Sequence, residues 1–202
     1  LTLLKLLRLL LSSQLSCLGF LFLIIHMPKA RNIPFIDLSL KKIDLDKTIN
    51  NISKLIKDKN FIGGNEVKKF QENFSKFNES KYCVGVANGT DALEIALESL
   101  DIPKNSEVIV PNFTFLSPAE AVVRGGYKLV LADINLDDFT ISIESLKKLA
   151  TKKTSALIVV HLFGNPCDMT EIRKITDKYD IKIIEDCSQA HGAKFKGKTV
   201  GN

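Results

Sequence analysis

Ala156-Leu157-Ile158-Val159-Val160 is apolar at every position, and its last three residues are β-branched. A short run of this kind, with no alternation, fits a strand buried on both faces, as central strands of parallel sheets are. Val108-Ile109-Val110, Lys128 to Ala132 and Ile181 to Ile184 read as further short strands, and Tyr82 to Val86 as one more ahead of them. Helical spacing fills the intervals. It is carried by Leu93, Ala96, Leu97 and Leu100; by Pro118 to Arg124; by Ile143, Leu146 and Leu149 after Ser142; and by Ile172, Ile175 and Tyr179. The last of these opens at Asp168-x-x-Glu171, a capping box with Asp as the cap. Strands alternating with helices of about 10–15 residues build βαβ units, so the fold class is α/β with a mainly parallel sheet. Lys194 to Val200 reads as a small closing hairpin.

Two segments precede the alternation, which occupies residues 81–202. Residues 27–80 form a helical lead-in: Leu45, Ile49, Ile52 and Ile56 after a cap at Asp44, then Val67, Phe70, Phe74 and Phe77 after a cap at Asn65. The aromatic stripe is expected to be a packing face. Residues 1–26 are unlike the rest, leucine-rich and without an acid, with Lys5 and Arg8 as their only charges. They read either as non-native upstream translation, with Met27 as the natural start, or as a signal or anchor. Membrane association is expected only if they are native.

The formal net charge of +5 comes from dispersed lysines, and without Lys5 and Arg8 it falls to +3. No compact Arg/Lys stripe with interleaved aromatics is present, which argues against a nucleic-acid partner. Cys17, Cys83, Cys167 and Cys187 are far apart and form no CxxC pair. Free thiols in a reducing, cytoplasmic setting are expected, with neither a disulfide framework nor a zinc or other metal site.

Ligand groups in such a sheet gather where strands end and helices begin. Three strand ends are unusual. Val84-Gly85-Val86-Ala87-Asn88-Gly89-Thr90-Asp91 runs into a helix through a glycine and a threonine, which makes either an anion cradle at a helix N-terminus or a plain turn and cap. Asn112-Phe113-Thr114-Phe115 offers aromatics that either stack on a flat ligand or belong to the core. Glu185-Asp186-Cys187-Ser188-Gln189-Ala190-His191-Gly192 delivers Asp186 at a strand end, with Gln189 three residues on and Glu185 turned to the other face. An aspartate so placed suits the ring nitrogen of pyridoxal phosphate, which it keeps protonated.

Taken in order, these segments resemble the DegT/StrS-type (DegT/DnrJ/EryC/StrS) sugar aminotransferases. The resemblance runs from Ile33-Pro34-Phe35-Ile36-Asp37-Leu38 through Gly63-Gly64-Asn65-Glu66-Val67, Ala87-Asn88-Gly89-Thr90-Asp91-Ala92-Leu93 and Val160-His161-Leu162-Phe163-Gly164 to the Glu185–Gly192 run. It implies the large domain of a pyridoxal-phosphate-dependent, aspartate-aminotransferase-like (fold type I) transferase. It also implies roles: Gly89 and Thr90 for the cofactor phosphate, Phe115 stacked on the pyridine ring, Asp186 as the catalytic residue paired with the ring nitrogen, and Gln189 on the ring's 3-oxygen. His161 and His191 match family positions, where packing or hydrogen bonding is expected of them. The family's Schiff-base lysine falls beyond Asn202, so the resemblance implies an N-terminal fragment, truncated before its nucleophile and its small domain and inactive by itself.

The activity implied for the complete enzyme is transfer of an amino group, usually from glutamate, to a keto group of a nucleotide-linked sugar. Such enzymes act in amino-sugar biosynthesis, and a homodimer is the implied assembly. Two alternatives stand beside this: a nucleotide-sugar dehydratase of the same family, with histidine in place of the lysine, and a non-catalytic truncated product.

Overall fold

The structure is a computed structural model that describes residues 42–202, so the leader and the Ile33–Leu38 motif lie outside the described residues. By contacts the chain separates into Leu1–Lys59 and Asn60–Asn202. In the first unit the described element is helix α1 (Lys42–Lys57). Asp44 is not its cap. It lies within the first turn, where its acid suits the positive end of the helix, and its carbonyl accepts from Thr48 Oγ1 at 2.7 Å.

The second unit begins with helix α2 (Gly64–Phe77). Its cap is Gly63, not Asn65: Gly63 and Gly64 have φ of +61° and +85°, a left-handed pair that favours glycine and fixes the helix start one residue before Asn65. The expected packing face stays largely open. No residue of α2 is buried; Phe70 and Phe74 stack with centroids 5.5 Å apart, Phe77 is tilted against Phe74 at 6.1 Å, and His191 meets Phe74.

The remaining elements are α3 (Gly89–Ser99), β1 (Glu107–Pro111), α4 (Ser117–Arg124), β2 (Lys128–Ala132), α5 (Ile143–Leu149), β3 (Thr154–Val160), α6 (Met169–Tyr179) and β4 (Lys182–Asp186). Strands β5 (Lys194–Phe195) and β6 (Lys198–Thr199) form a hairpin. Its two central residues, Lys196 and Gly197, have φ of +50° and +83°, the signs a type I′ turn requires. Asp168 caps α6 by accepting from the Thr170 and Glu171 amides at 3.0 and 3.1 Å, and Ser142 caps α5 by accepting from Ser145 N.

Two strand expectations are corrected. Tyr82–Val86 is not a strand. A strand needs a ladder partner; here the Gly85 amide donates to the Gln71 side chain at 2.8 Å, and Tyr82 and Val84 are about three-quarters exposed, at 75% and 77%. The last strand of the sheet runs from Lys182 to Asp186, not from Ile181 to Ile184. The Ile181 amide closes the preceding helical turn on Thr176 O, while the ladder with β3 extends to Val160↔Asp186.

The four-stranded sheet is parallel throughout, in the order β2-β1-β3-β4. From β1 the chain steps to β2 on one side; from β3 it steps to β4 on the other. Right-handed crossovers in opposite directions must use opposite faces, and the two cores obey this. Val108, Val110, Ala156, Ile158 and Val160 pack with Leu93 and Leu97 of α3 and Ala121 and Val122 of α4. Ile109, Leu157 and Val159 pack on the other face with Leu146 of α5 and Ile172 and Ile175 of α6. Each of the buried Val, Leu and Ile side chains among these contributes about 1.5–3 kcal/mol of transfer free energy. The reversal between β1 and β3 is a topological switch point, and the crevice outside its strand ends is where α/β sheets bind ligands.

Candidate active site

A cavity of about 360 Å³ opens at that switch point, and four segments line it. The N-terminus of α3 contributes Asn88, Gly89, Thr90 and Leu93; the β1 end contributes Thr114, Phe115 and Ser117; the β3 end contributes Val160 and Leu162; the β4 end contributes Asp186, Ser188 and Gln189. All five residues singled out in the sequence, Gly89, Thr90, Phe115, Asp186 and Gln189, therefore meet in one cavity.

Asn88 caps α3, its Oδ1 accepting from the Asp91 amide at 2.9 Å. The amides of Gly89 and Thr90 open the helix, where no intrahelical acceptor exists, so they and the helix dipole favour an anion. Hydroxyls surround this end: Thr90 Oγ1 and Ser117 Oγ are 2.7 Å apart, and a methyl on Gly89 would stand 3.5 Å from Ser188 Oγ. Thr114 Oγ1 lies buried in a residue of the cavity wall with no hydrogen-bond partner.

Asp186 is held by its own loop. The Ser188 amide and hydroxyl both donate to Oδ1, at 3.0 and 2.5 Å, and among the described residues no group bonds Oδ2. Gln189 Oε1 accepts from the Phe163 amide at 2.9 Å, which fixes the side chain and leaves its NH₂ to donate elsewhere. Phe163 itself has φ of +57°, a left-handed conformation that costs a bulky residue about 1–3 kcal/mol. Phe115 is 73% exposed, so its ring is available for a flat ligand. Among the described residues, no lysine lines the cavity.

The two histidines sit elsewhere. His191 packs edge-on against Phe74, with centroids 5.7 Å apart. His161 is fully buried at the β3 end, where its Nδ1 accepts from the Cys167 amide at 3.0 Å and its Nε2 lies 3.0 Å from Glu185 Oε2. Glu185 points to the α6 side of the sheet, toward Arg173, and away from Asp186. Burial acts to raise its pKa, but hydrogen bonds from His161 and the Gly201 amide, with the Arg173 charge, hold it below the usual carboxylate value. Burial pushes the Cys187 thiol up to about 12, aided by the Glu185 and Asp186 charges, and the Cys167 thiol up to about 11. His161, Glu185 and Cys187 bring ligand atoms within 4.8 Å of one another. Within this cluster both His161 ring nitrogens are engaged, one by the Cys167 amide and one by Glu185, so His161 and Glu185 form a hydrogen-bonded brace.

Sequence reasoning missed Ser117 and Ser188. Ser188 carried a signal of sorts, since a serine two residues after an aspartate is a turn-forming pair.

A family model described as the DegT/DnrJ/EryC1/StrS aminotransferase family matches residues 43–202. The chain belongs to that family. A dTDP-3-amino-3,6-dideoxy-alpha-D-galactopyranose transaminase from Aneurinibacillus thermoaerophilus is 39% identical to this DegT/DnrJ/EryC1/StrS chain over 171 residues, covering 84% of the chain and 47% of the relative. The solved structure of S. venezuelae DesV in complex with a ketimine intermediate superposes with a TM-score of 0.78 at 35% identity, over 84% of the chain and 46% of DesV. E. coli GDP-4-keto-6-deoxy-D-mannose-3-dehydratase with bound hydrated PLP superposes with a TM-score of 0.76 at 30% identity, over 85% of the chain and 44% of that protein. The family and these neighbours carry the aspartate-aminotransferase-like, fold type I architecture expected from the resemblance. The chain spans just under half the length of these relatives. None of the described helices is long and apolar enough to cross a membrane.

Proposed function

We propose that the whole protein is a pyridoxal-phosphate-dependent aminotransferase, transferring an amino group from an amino-acid donor such as glutamate to a keto group of a nucleotide-linked sugar. The observation that carries this reading is the cavity itself. It joins an anion-favouring helix N-terminus to a carboxylate with one unengaged oxygen and to a fixed amide donor, beside an exposed aromatic ring. That donor set matches the phosphate, ring nitrogen, 3-oxygen and ring face of the cofactor, and the unpartnered Thr114 hydroxyl marks a wall built to meet a polar ligand.

When bound, pyridoxal phosphate supplies an electron-withdrawing ring that lowers the cost of removing a proton next to the transferred nitrogen. The chain's own residues prepare for that. The Gly89 and Thr90 amides and the nearby hydroxyls hold the phosphate. Asp186 keeps a proton on the ring nitrogen through the oxygen that Ser188 leaves free. Gln189 donates its NH₂ to the 3-oxygen, and Phe115 covers the ring face and limits water access. A homodimer and a cytoplasmic location belong to the same reading. Both rest on the chain's membership of this enzyme family.

Likeness to a solved 3-dehydratase with bound PLP supports a second reading, removal of a sugar hydroxyl at the same site. One assay separates them. The whole protein is incubated with glutamate and a dTDP-linked keto sugar, and 2-oxoglutarate and amino sugar are quantified. Equal yields of the two support transamination; loss of a hydroxyl without amino sugar supports dehydration; neither product, with UDP- and GDP-linked keto sugars tried as well, overturns both readings.

A further inference from the structure

His161 and Glu185 touch nothing in the cavity, yet they are built around its most important carboxylate. The two strands end side by side, with Val159 paired to Glu185 and Val160 to Asp186. One step beyond, the His161 amide donates to the Asp186 carbonyl at 3.1 Å, so the ladder's last bond holds the peptide that carries Asp186. The ring of His161 itself is fully buried beside that strand end.

The His161 ring has one tautomer available. Its Nδ1 faces the Cys167 amide at 3.0 Å and must be the acceptor there, so the ring proton sits on Nε2 and is donated to Glu185 Oε2. The same oxygen accepts from the Gly201 amide at 2.9 Å, and Arg173 approaches Oε1 at 4.0 Å. The Glu185 side chain is 12% exposed, and a carboxylate so buried is costly to leave unpartnered. Its partners come from the β3 end, from the segment after the β5–β6 hairpin and from α6. Turning Glu185 would break all of these, and with them the orientation of the next residue in the strand.

We propose that His161 and Glu185 are positioning residues for the cofactor: a fixed-tautomer brace on the far face of the sheet that sets the direction in which Asp186 presents its free oxygen. The proposal rests on the reading of Asp186 as the ring-nitrogen partner. It explains why the strand end carries two adjacent acids, one per face, and why the buried histidine is held at both nitrogens.

The test uses the whole protein, freed of cofactor, and two probes. One is pyridoxal phosphate; the other is its 1-deaza analogue, which has C–H in place of the ring nitrogen. Glu185→Met removes the acceptor at similar volume. It is expected to weaken pyridoxal phosphate about tenfold while the deaza analogue binds as to the parent. Glu185→Gln keeps an acceptor oxygen and is expected to restore pyridoxal phosphate affinity to within about threefold of the parent. Should Glu185→Met not fold, His161→Asn, which retains the Nδ1-side group and loses the Nε2 donor, replaces it with the same expectation. Equal weakening of both probes would mean a merely structural role and overturns the proposal, as does no weakening of either. A cofactor-independent arm reads the ring nitrogens of ¹⁵N-labelled histidine. Protonation of His161 at Nδ1 overturns the brace whatever the cofactor does. If the parent binds neither probe, or does not distinguish them, the assigned role of Asp186 falls, and the role proposed for the brace falls with it. The ring tautomer then shows separately whether the geometry was read correctly.

Discussion

Replacing Asp186 by Asn changes one atom in a place where the structure specifies what each oxygen does. Ser188 donates twice to Oδ1, through its amide and its hydroxyl, and an asparagine Oδ1 accepts both bonds unchanged. The other oxygen becomes an NH₂ group, a donor where an acceptor is required. The fold is therefore expected to survive, with a stability change under about 1 kcal/mol, because no bond within the protein is lost. A hydrogen bond to a charged partner contributes about 1.5–3 kcal/mol, and its loss corresponds to about 10- to 150-fold in dissociation constant. Spectrophotometric titration of the cofactor-free whole protein with pyridoxal phosphate measures this directly. The 1-deaza analogue serves as control, since it has no ring nitrogen to lose a partner. The reasoning fails if Asp186→Asn binds pyridoxal phosphate as tightly as the parent, or if the analogue weakens as much as the cofactor. Transamination should fall far more than affinity, because the charge acts on the reacting system as well as on binding.

Thr90→Val removes the hydroxyl that meets Ser117 Oγ at 2.7 Å on the cavity wall. It should weaken pyridoxal phosphate about tenfold and leave pyridoxal, which lacks the phosphate, unchanged in the same titration. Asp168→Ala deletes both acceptor contacts that start α6, at about 1 kcal/mol, and should lower the melting temperature by about 2–4 °C without altering cofactor affinity. Glu185 has a folded pKa below its ordinary 4.5, so its stabilisation is complete above that value and is lost as pH falls through the folded one. Urea midpoints measured between about pH 6 and pH 3 should decline less steeply for Glu185→Gln than for the parent; parallel declines would contradict the assignment.

What the sequence made legible is what local chemistry decides. Apolar runs marked β1 to β4, most plainly β1 and β3, which are buried on both faces and need no partner's identity to be recognised, and Ser142 and Asp168 marked helix starts because a cap acts within three residues. Asp44 and Asn65 satisfy the same rule and are not caps: Asp44 falls inside the first turn of α1, and at Gly63–Gly64 the left-handed backbone starts α2 ahead of Asn65. Tyr82–Val86 has strand composition, but a strand exists only as part of a ladder, and no residue pattern reports whether a neighbour is there. Ser117 was invisible for another reason: a hydroxyl has no periodicity, and its use depends on which segments the fold brings together, whereas Ser188 was marked only as a turn partner of Asp186.

Strand alternation did assign Asp186 and Glu185 to opposite faces, but it did not say what each would meet. Two adjacent carboxylates on one strand repel each other, and partial burial makes that costlier. The fold meets the problem by giving each its own donors. Ser188 serves Asp186 on the α3 side, while His161, Gly201 and Arg173 serve Glu185 on the α6 side. The sheet between them turns the pair into two separate jobs. One acid keeps an oxygen free for a ligand because the other has every oxygen facing a partner. A strand end with a single acid would have to divide its donors between holding itself and serving the cavity.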